Sequence, residues 1–281
     1  MQKNVVKFKR GRKMDTVKIR GVVIGEGAPK ICATITQTDE AGILEQAAAA
    51  DREPCELIEW RADYYDTGAA AKRAGRYDVD SYAEILEKIR TVTGKPVIFT
   101  MRTADEGGIA EMDRNDYCDF VRNAAEVSQA DIIDVEAFGG DSGFEGEKMT
   151  FIVSYIYDQD KKVILSNHDF KRTPDPEEIV RRLCIMNSLD ADISKVAFMP
   201  ENDEDVLKLL EAARIMKDNY ADKPFIAISM GEAGQASRVC GGSFGSAISY
   251  ATIGAPSAPG QMSVSELSQY IREYDAGNDE K

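Results

Sequence analysis

The amino-acid sequence predicts one closed α/β barrel, the (β/α)8 or TIM barrel, with an N-terminal β-hairpin. From residue 30 onward, short β-branched apolar runs alternate with longer helical patterns eight times. Such barrels commonly need about 250 residues, and the chain has 281. The alternative is a doubly wound open sheet. The sequence argues against it, because no GxGxxG motif follows the first strand and no P-loop sequence occurs.

The predicted elements follow one another in chain order. Residues 16–19 and 21–24 alternate around Arg20-Gly21, which predicts a short hairpin. β-Branched apolar runs predict barrel strands at residues 31–36, 55–61, 96–102, 131–136, 162–168, 193–199, 224–230 and 246–253. Apolar residues at helical spacing predict helices at residues 40–50, 81–92, 114–128, 146–158, 175–188, 204–219, near Ala236 and at 263–274.

Charge and hydropathy limit the classes of function. The chain has 35 Lys and Arg residues against 49 Asp and Glu, a net charge of −14 that argues against nucleic-acid binding. Its longest apolar runs are strand-sized, such as residues 225–230, so we predict no membrane span. The amino terminus lacks the apolar stretch of a secretory signal. Because five dispersed cysteines lack CxxC spacing, we expect a cytoplasmic protein with mostly buried thiols and without metal or disulfide roles.

The charge is unevenly distributed along the chain. Residues 1–20 include eight basic residues and one acidic residue, Asp15. We interpret residues 1–15 as a basic leader, solvated and partly disordered, and residues 16–281 as a single barrel domain. A nucleic-acid or membrane-surface arm is the alternative interpretation of such a charge run.

Charged residues cluster at the carboxyl ends of the predicted strands, where parallel barrels carry their functional residues. Burial of such groups is costly unless they are paired or used in chemistry. We therefore treat this cluster as the candidate site. Its members in the second to fifth units are Glu59, Arg61, Asp63, Arg102, Asp134, Glu136 and His168.

His168 is the only histidine of the chain. A lone histidine is more often structural than catalytic, but this one lies at the end of a predicted barrel strand. Any proton transfer by imidazole near neutral pH must come from it.

Lys195 interrupts an apolar strand. Period-two alternation directs Lys195 and Ala197 into the barrel and Val196 toward the helices. One interpretation is a packed stem with its ammonium in solvent. The other is an amine whose pKa is lowered from about 10.4 by burial and by neighbouring cations, so that it attacks a carbonyl and forms a Schiff base. Arg102 and Arg238 are the candidate cations.

The last third of the chain contains three segments with two interpretations each. Residues 231–234 (GEAG) are a simple turn or a backbone nest for an anion. Arg238 is a surface charge or a two-pronged carboxylate clamp. Residues 257–261 (SAPGQ) are a plain loop or a lid whose Ser257 and Gln261 bind hydroxyls.

Together these segments resemble the type I 3-dehydroquinate dehydratases, Schiff-base-forming (β/α)8 barrels of the shikimate pathway. The likeness covers nearly the whole chain, from about residue 17 to residue 270. No single motif is decisive, but all occur in order and at the expected strand or loop. They are residues 25–30 (GEGAPK), 59–63 (EWRAD), 102–108 (RTADEGG), 134–136 (DVE), 166–170 (SNHDF), 195–200 (KVAFMP), 230–238 (MGEAGQASR), 244–246 (FGS) and 257–261 (SAPGQ).

The resemblance implies syn elimination of water from 3-dehydroquinate to give 3-dehydroshikimate. It assigns Lys195 as the amine that condenses with the ketone, His168 as the general acid and base, and Glu106 as the carboxylate that orients His168. It assigns Arg238 to the substrate carboxylate and Met230 to an apolar wall. The other implied substrate-binding residues are Thr34, Glu59, Arg61, Arg102, Ser257 and Gln261. It also implies a homodimer and the use of no metal or organic cofactor.

Two rival functions remain open at this point. A class I aldolase would also use a lysine, but such enzymes often bind phosphorylated substrates. The last loop, with Ser257, Pro259 and Gln261, offers no lysine or arginine for a phosphate. A barrel that only binds a ligand or partner would show no turnover and no need for His168.

Overall fold

The computed structural model describes residues 14–65, 77–139 and 145–279, and its centre is a parallel β-barrel. The hairpin strands are β1 Val17–Ile19 and β2 Val22–Ile24. The barrel strands are β3 Lys30–Ile35, β4 Leu57–Arg61, β5 Val97–Thr100, β6 Ile132–Glu136, β7 Lys162–Asp169, β8 Ile193–Phe198, β9 Phe225–Ser229 and β10 Ile248–Thr252. All eight predicted barrel strands and the predicted hairpin are therefore confirmed.

Helices follow the barrel strands and cover the outside of the barrel. Their amino ends are set by capping side chains: Asp39 accepts the Gly42 N–H, and Asp113 accepts the N–H groups of Asn115 and Asp116. The helices are α1 Glu40–Arg52, α2 Val79–Val92, α3 Arg114–Val127, α4 Gly146–Asp158, α5 Pro176–Ser188, α6 Asp203–Asn219, α7 Gln235–Cys240 and α8 Val264–Asp279. Of the helices within the described ranges, none is long and apolar enough to cross a bilayer.

The strands run in the order β10-β3-β4-β5-β6-β7-β8-β9, each parallel to its neighbours. At the seam between β9 and β10, the described residues show one β-bridge, Phe225 with Ser246. The Ala247 N–H donates to the Phe225 carbonyl over 2.8 Å, and the Ala227 N–H donates to the Ser246 hydroxyl over 3.1 Å. A side chain thus replaces a ladder bond where the barrel closes.

The inward-facing residues of several strands change from apolar at the amino end to polar at the carboxyl end. On β4 the order is Leu57 then Glu59, and on β6 it is Ile132 then Asp134. The hairpin's Ile24, fully buried, packs into the apolar layer at the amino end. Each buried Leu or Ile contributes roughly 1.5–3 kcal/mol. Burial of this apolar layer offsets the free-energy cost of burying the polar layer, which lies at the carboxyl ends of the strands.

An aromatic cluster attaches β4 and β5 to the helical layer. The Trp60 ring lies 5.7 Å from the Phe99 ring and 6.0 Å from the Tyr82 ring, and all three side chains are buried. Because alternate residues of a strand face opposite sides, fixing Trp60 outward holds Glu59 and Arg61 inward.

The third barrel strand is shorter than predicted. It ends at Thr100, and Arg102 lies two residues beyond it. The main chain turns there because the Ala110 N–H donates to the Arg102 carbonyl and the Ala104 N–H donates to the Ala110 carbonyl. Arg102 is therefore carried by a loop rather than by the strand.

The predicted leader, residues 1–15, lies outside the described residues up to residue 13. The Asp15 N–H donates to the Asp222 carbonyl over 2.8 Å. Asp15, the last residue of the predicted leader, therefore contacts the barrel.

Candidate active site

The carboxyl ends of the barrel strands surround a cavity. Thr34, on β3, does not line it but lies behind Gln261, with Oγ1 3.4 Å from Gln261 Nε2. These two residues are 227 positions apart in the chain. The other ten predicted site residues line the cavity: Glu59, Arg61, Arg102, Glu106, His168, Lys195, Met230, Arg238, Ser257 and Gln261.

Lys195, on β8, is an enclosed amine with 4% of its surface exposed. Its Nζ lies 3.4 Å from Glu59 Oε1, 3.2 Å from Asp134 Oδ2 and 4.3 Å from the centre of the Tyr250 ring. The interpretation with the ammonium in bulk solvent is therefore wrong. The expected immediate neighbours also need correction, because the ion-pair partners of Lys195 in the described residues are carboxylates and Arg102 contacts it only through Asp134.

Arg102 is the centre of a buried ionic cluster. Its Nη2 lies 2.6 Å from Asp134 Oδ1, and its Nη1 lies 3.2 Å from Glu136 Oε1 and 3.4 Å from Glu106 Oε2. Burial alone would raise the pKa of Asp134, but Arg102, Lys195 and a hydrogen bond from Ser166 outweigh it and hold that pKa at about 2. These contacts of Arg102 are thus all with side chains of the protein itself. The described residues contain no cluster of His, Cys, Asp and Glu suited to a metal ion.

His168 and Glu106 form a hydrogen-bonded pair. His168 Nδ1 lies 2.8 Å from Glu106 Oε2, which also accepts the His168 main-chain N–H over 3.0 Å. Burial, with the positive charges of Arg102 and Lys195, lowers the pKa of His168 well below 6.5. Burial, with the negative charge of Glu136, raises the pKa of Glu106 well above 4.5. A neutral imidazole that donates from Nδ1 keeps a lone pair on Nε2, the requirement for a general base.

The lowered pKa of His168 predicts an imidazole that stays neutral in mildly acidic solution. Proton NMR can follow its ring C–H resonances without assignment, because the chain has one histidine. We expect no titration midpoint between about pH 8 and 6.5 in the folded protein, and a midpoint near 6.5 in urea. Below about pH 6.5 the unfolded chain binds a proton at His168 that the folded protein does not bind. The free energy of unfolding therefore decreases as the pH falls below about 6.5. A folded-state midpoint at 6.5 or above would contradict the prediction.

Arg238, in α7, is a buried cation without an acidic partner among the described residues. It is 3% exposed, and its Nη1 and Nη2 donate to the carbonyls of Tyr250 and Pro259 over 3.3 and 3.2 Å. Its Nε has no hydrogen-bond partner. Burial lowers the pKa of Arg238 to about 10. A buried guanidinium on the cavity wall that lacks an acidic partner is suited to bind an anionic ligand, whose negative charge pairs with it.

The loop after β10 closes one side of the cavity. The side-chain oxygen of Gln261 accepts from the Ser257 N–H over 2.8 Å and from its hydroxyl over 3.1 Å. Arg61 Nη1 donates to the Ser257 carbonyl over 3.4 Å. Arg61 also forms two 2.8 Å hydrogen bonds with Asp63, so most of its donors are already used by the protein. Arg61 therefore attaches this loop to β4.

An apolar surface faces these polar groups. Met230, 1% exposed, lines the cavity beside Ile228, Ala197 and Phe170. Gly107 has φ of +82°, and a Cβ there would lie 2.2 Å from the Phe170 ring. Glycine is needed at this position so that the loop carrying Glu106 can approach Phe170.

The sequence analysis named Asp134 and Ser166 without giving either residue a role, and it missed Tyr250. Tyr250 presents its ring to Lys195, and the Ser166 hydroxyl donates to Asp134 over 2.7 Å. A signal existed for Ser166, which shares the inward parity of His168. Tyr250 lies in the least regular of the predicted strands, so its direction could not be read from the pattern.

Comparison with known proteins gives a consistent result. The family model described as type I 3-dehydroquinase matches residues 31–277. The 3-dehydroquinate dehydratase of Clostridium novyi (strain NT) is 38% identical over 259 residues, which cover 92% of this chain and 97% of that protein. The 3-dehydroquinate dehydratase of Escherichia coli O17:K52:H18 is 41% identical over 257 residues, 90% of this chain and 96% of that protein.

Solved structures agree. The crystal structure of type I 3-dehydroquinate dehydratase from Clostridium difficile with covalently modified comenic acid superposes with a TM-score of 0.85 and 36% identity, covering 94% of this chain and 99% of that one. The 3-dehydroquinate dehydratase of Enterococcus faecalis gives 0.81 and 32%, covering 92% and 99%. Since the sequence match spans nearly the whole barrel and the fold is the same, the chain belongs to the type I 3-dehydroquinase family.

Proposed function

We propose that this enzyme converts 3-dehydroquinate to 3-dehydroshikimate by syn elimination of water, as a step of the shikimate pathway. The names of the curated relatives support the substrate. The observation that carries the chemistry is an enclosed amine, Lys195, in the same cavity as the His168–Glu106 pair. The alignments with the E. coli and C. novyi relatives cover 90% and 92% of this chain, at 41% and 38% identity.

In the first step, the Lys195 ammonium gives one proton to His168, and the resulting neutral amine attacks the ring ketone and forms a carbinolamine. The carbinolamine takes that proton back as its hydroxyl leaves as water, and a protonated imine remains. Glu59 and Asp134 hold Nζ at the cavity floor, and their negative charges stabilise the positive charge of the imine. The imine draws electrons and acidifies the neighbouring C–H. The C. difficile structure with covalently modified comenic acid supports covalent chemistry in this family.

In the second step, His168 Nε2 removes that proton, and the electron pair of the C–H bond passes into an enamine. The enamine returns its electrons to expel the ring hydroxyl, which takes a proton from the imidazolium as it leaves. Water then hydrolyses the product imine and regenerates Lys195. Glu106 orients the imidazole and stabilises it while it is charged.

Substrate binding is assigned to the remaining cavity residues. Arg238 binds the substrate carboxylate, and Met230 forms an apolar wall beside the ring. The ring hydroxyls meet polar groups of the closing loop and strands: Ser257, Gln261, Glu59, Arg61 and Arg102, with Thr34 supporting Gln261 from behind. The imine provides the electron sink, so the proposed mechanism needs no metal or organic cofactor.

The proposal is tested by adding 3-dehydroquinate to the purified protein and following the ultraviolet absorbance of the enone product. We expect turnover, with substrate consumed and enone formed in equal amounts. A barrel that only binds a ligand would give no absorbance change. A class I aldolase would be inert here and would form a borohydride-trapped adduct only with a phosphorylated aldehyde.

Arg238→Met is expected to raise KM by roughly 100-fold, because a buried, charge-assisted contact with the substrate carboxylate is lost. The same variant is expected to unfold at a temperature several degrees higher in the absence of substrate. The reason is that burial of an unpaired guanidinium costs the free protein stability, as the lowered pKa of Arg238 indicates. Steady-state kinetics and a thermal melt by circular dichroism measure the two effects.

Arg214→Met is the matched control for this prediction, since Arg214 is 58% exposed and its ion pair with Asp218 lies on the surface. Its KM and melting temperature should stay close to those of the wild type. An Arg238→Met enzyme with unchanged KM would rule out Arg238 as the carboxylate site.

Three wider assignments accompany this function. We propose that residues 16–281 form one catalytic domain, that the enzyme works in the cytoplasm, and that it forms a homodimer. The five dispersed thiols suit a reducing compartment. Exposed apolar side chains near the end of α3 and on α4, Val127 and Phe151, offer surface for a second copy.

A further inference from the structure

Asp63 belongs to the cluster of charged residues at the strand ends, but the proposed mechanism gives it no role. It lies in the single 3₁₀ turn Ala62–Tyr64 that follows β4, and its side chain is fully buried. A buried carboxylate is costly unless a positive charge meets it. Arg61, the last residue of β4, supplies that charge: Arg61 Nε lies 2.8 Å from Asp63 Oδ1, and Arg61 Nη2 lies 2.8 Å from Asp63 Oδ2.

These two hydrogen bonds fix the direction of the Arg61 guanidinium. A guanidinium is planar and carries donors on three nitrogens, so binding of its Nε–Nη2 edge by one carboxylate leaves a single orientation in the plane. The centre of the Tyr64 ring lies 5.0 Å from the guanidinium carbon and covers one face. Burial alone would lower the pKa of Arg61, but the charge and hydrogen bonds of Asp63 outweigh it and raise that pKa. Arg61 is therefore a charged group held at one edge and one face.

The third nitrogen of the guanidinium, Nη1, lies on the cavity side. It donates to the Ser257 carbonyl over 3.4 Å, and both Arg61 and Ser257 line the cavity, whereas Asp63 is not among the described residues that line it. Ser257 belongs to the closing loop, residues 253–261. One of the two N–H groups of Nη1 is used in this bond, and the other can donate to a ring hydroxyl of the substrate. Asp63 thus reaches the closing loop and the substrate through Arg61.

Asp63 has a second contact, with the loop that carries Glu106. Its Oδ2 accepts the Ile109 main-chain N–H over 3.3 Å. This bond has an uncharged donor and is longer than the two bonds to the guanidinium, so it is the weaker contact. A role of Asp63 through this loop would act on Glu106 and hence on proton transfer. A role through Arg61 acts on substrate binding instead.

We infer that Asp63 is a positioning residue for substrate binding: by holding the Nε–Nη2 edge of Arg61, it directs Nη1 to the closing loop and to the substrate. The effect on binding rests on the proposed function. The effect on the closing loop does not, because it is a property of the free protein.

The first test is the steady-state kinetics of Asp63→Asn with 3-dehydroquinate. The amide has the shape of the carboxylate but turns an NH₂ group toward one of the two Arg61 donors, so the guanidinium should leave its position. We expect KM to rise by roughly 10–100-fold with kcat within about 3-fold of the wild type, because Lys195 and His168 are unchanged. An unchanged KM, or a fall in kcat at unchanged KM, would overturn the inference.

Arg61→Met separates action through Arg61 from a direct role of Asp63. If Asp63 acts through Arg61, adding Asp63→Asn to Arg61→Met should raise KM no further, since the group to be positioned is already gone. A double variant whose rise in KM equals the product of the two single effects would refute the inference. Asp218→Asn is the matched control. Asp218 is 50% exposed and pairs with Arg214 on the surface, so this variant should keep the wild-type KM.

Circular dichroism must show that the single variants fold, because each leaves one buried charge without its partner. Asp63→Glu covers the case in which they do not. It keeps the ion pair, but the site is fully buried, so the extra methylene displaces the carboxylate and with it the bound edge of Arg61. We expect KM to rise in this variant also, and a KM at the wild-type value would count against the inference as decisively.

Hydrogen–deuterium exchange followed by mass spectrometry supplies a readout without substrate. In Asp63→Asn and Asp63→Glu, peptides from the closing loop should exchange roughly 3-fold faster or more than in the wild type, because the loop loses its contact with Arg61. Asp218→Asn should leave that exchange unchanged. Wild-type exchange in both Asp63 variants would overturn the inference. A wild-type enzyme without dehydratase activity would overturn the proposed function, while the exchange would still test the role of Asp63.

Discussion

Replacement of Lys195 by alanine is expected to lower kcat for 3-dehydroquinate by at least about 10⁴-fold. The reason is that the variant has no amine at the cavity floor to form the imine on which every later step depends. Sodium borohydride provides a direct measurement, because it reduces the imine to a stable secondary amine. In the wild type, borohydride with substrate should add the mass of the reduced substrate to the peptide that contains Lys195. In Lys195→Ala this mass should be missing.

Lys88→Ala is the control for the lysine replacement. Lys88 is 43% exposed and pairs with Glu40 on the surface, so its loss should leave turnover and trapping intact. Circular dichroism must show that Lys195→Ala is folded. This is expected because Asp134 keeps its contacts with Arg102 and Ser166. Full turnover by Lys195→Ala, or an adduct on another lysine, would eliminate the proposed chemistry.

Replacement of His168 by alanine is expected to separate imine formation from elimination. Turnover should fall by roughly 10²–10⁴-fold, the usual contribution of a general acid or base. The borohydride-trapped adduct on Lys195 should still be detectable, since the amine and its carboxylate partners are unchanged. Mass spectrometry of the trapped protein and the enone assay measure the two effects on one preparation.

Chemical rescue provides the control for His168→Ala. The truncated side chain leaves space beside Glu106, and added imidazole should restore part of the turnover in a concentration-dependent manner. The same addition should not affect the wild type. Unchanged turnover in His168→Ala would remove His168 as the base, and loss of the adduct together with turnover would assign it to imine formation alone.

The barrel was predictable because its evidence is local. A parallel strand buried on both faces requires a run of β-branched apolar residues, and a helix requires apolar spacing of three and four, so each element is visible in a short window. Closure of the barrel at the seam is different. It depends on the Ser246 hydroxyl reaching the Ala227 N–H, a contact between the residues just before β10 and β9 that no local pattern contains.

The candidate site was predictable to the level of residues at strand ends. Lys195 and His168 stand out since a charged or titratable side chain at an inward position of an apolar strand costs free energy and needs a reason. The resemblance to the family then added the loop residues, such as Arg238 and Gln261. Thr34 is different, because it belongs to the site only through its contact with Gln261, which lies 227 positions later in the chain.

The sequence by itself determined the order of strands and helices, the inward parity of the reactive groups and the end of the barrel at which they meet. Only the tertiary structure decided which charges pair. Lys195 lies against two carboxylates rather than two arginines, Arg61 is committed to Asp63, and Arg238 is the buried cation left without an acid among the described residues. The physical reason is distance. Ionic energies depend on separations of a few ångströms between residues tens to hundreds of positions apart, and those separations exist only after the barrel closes.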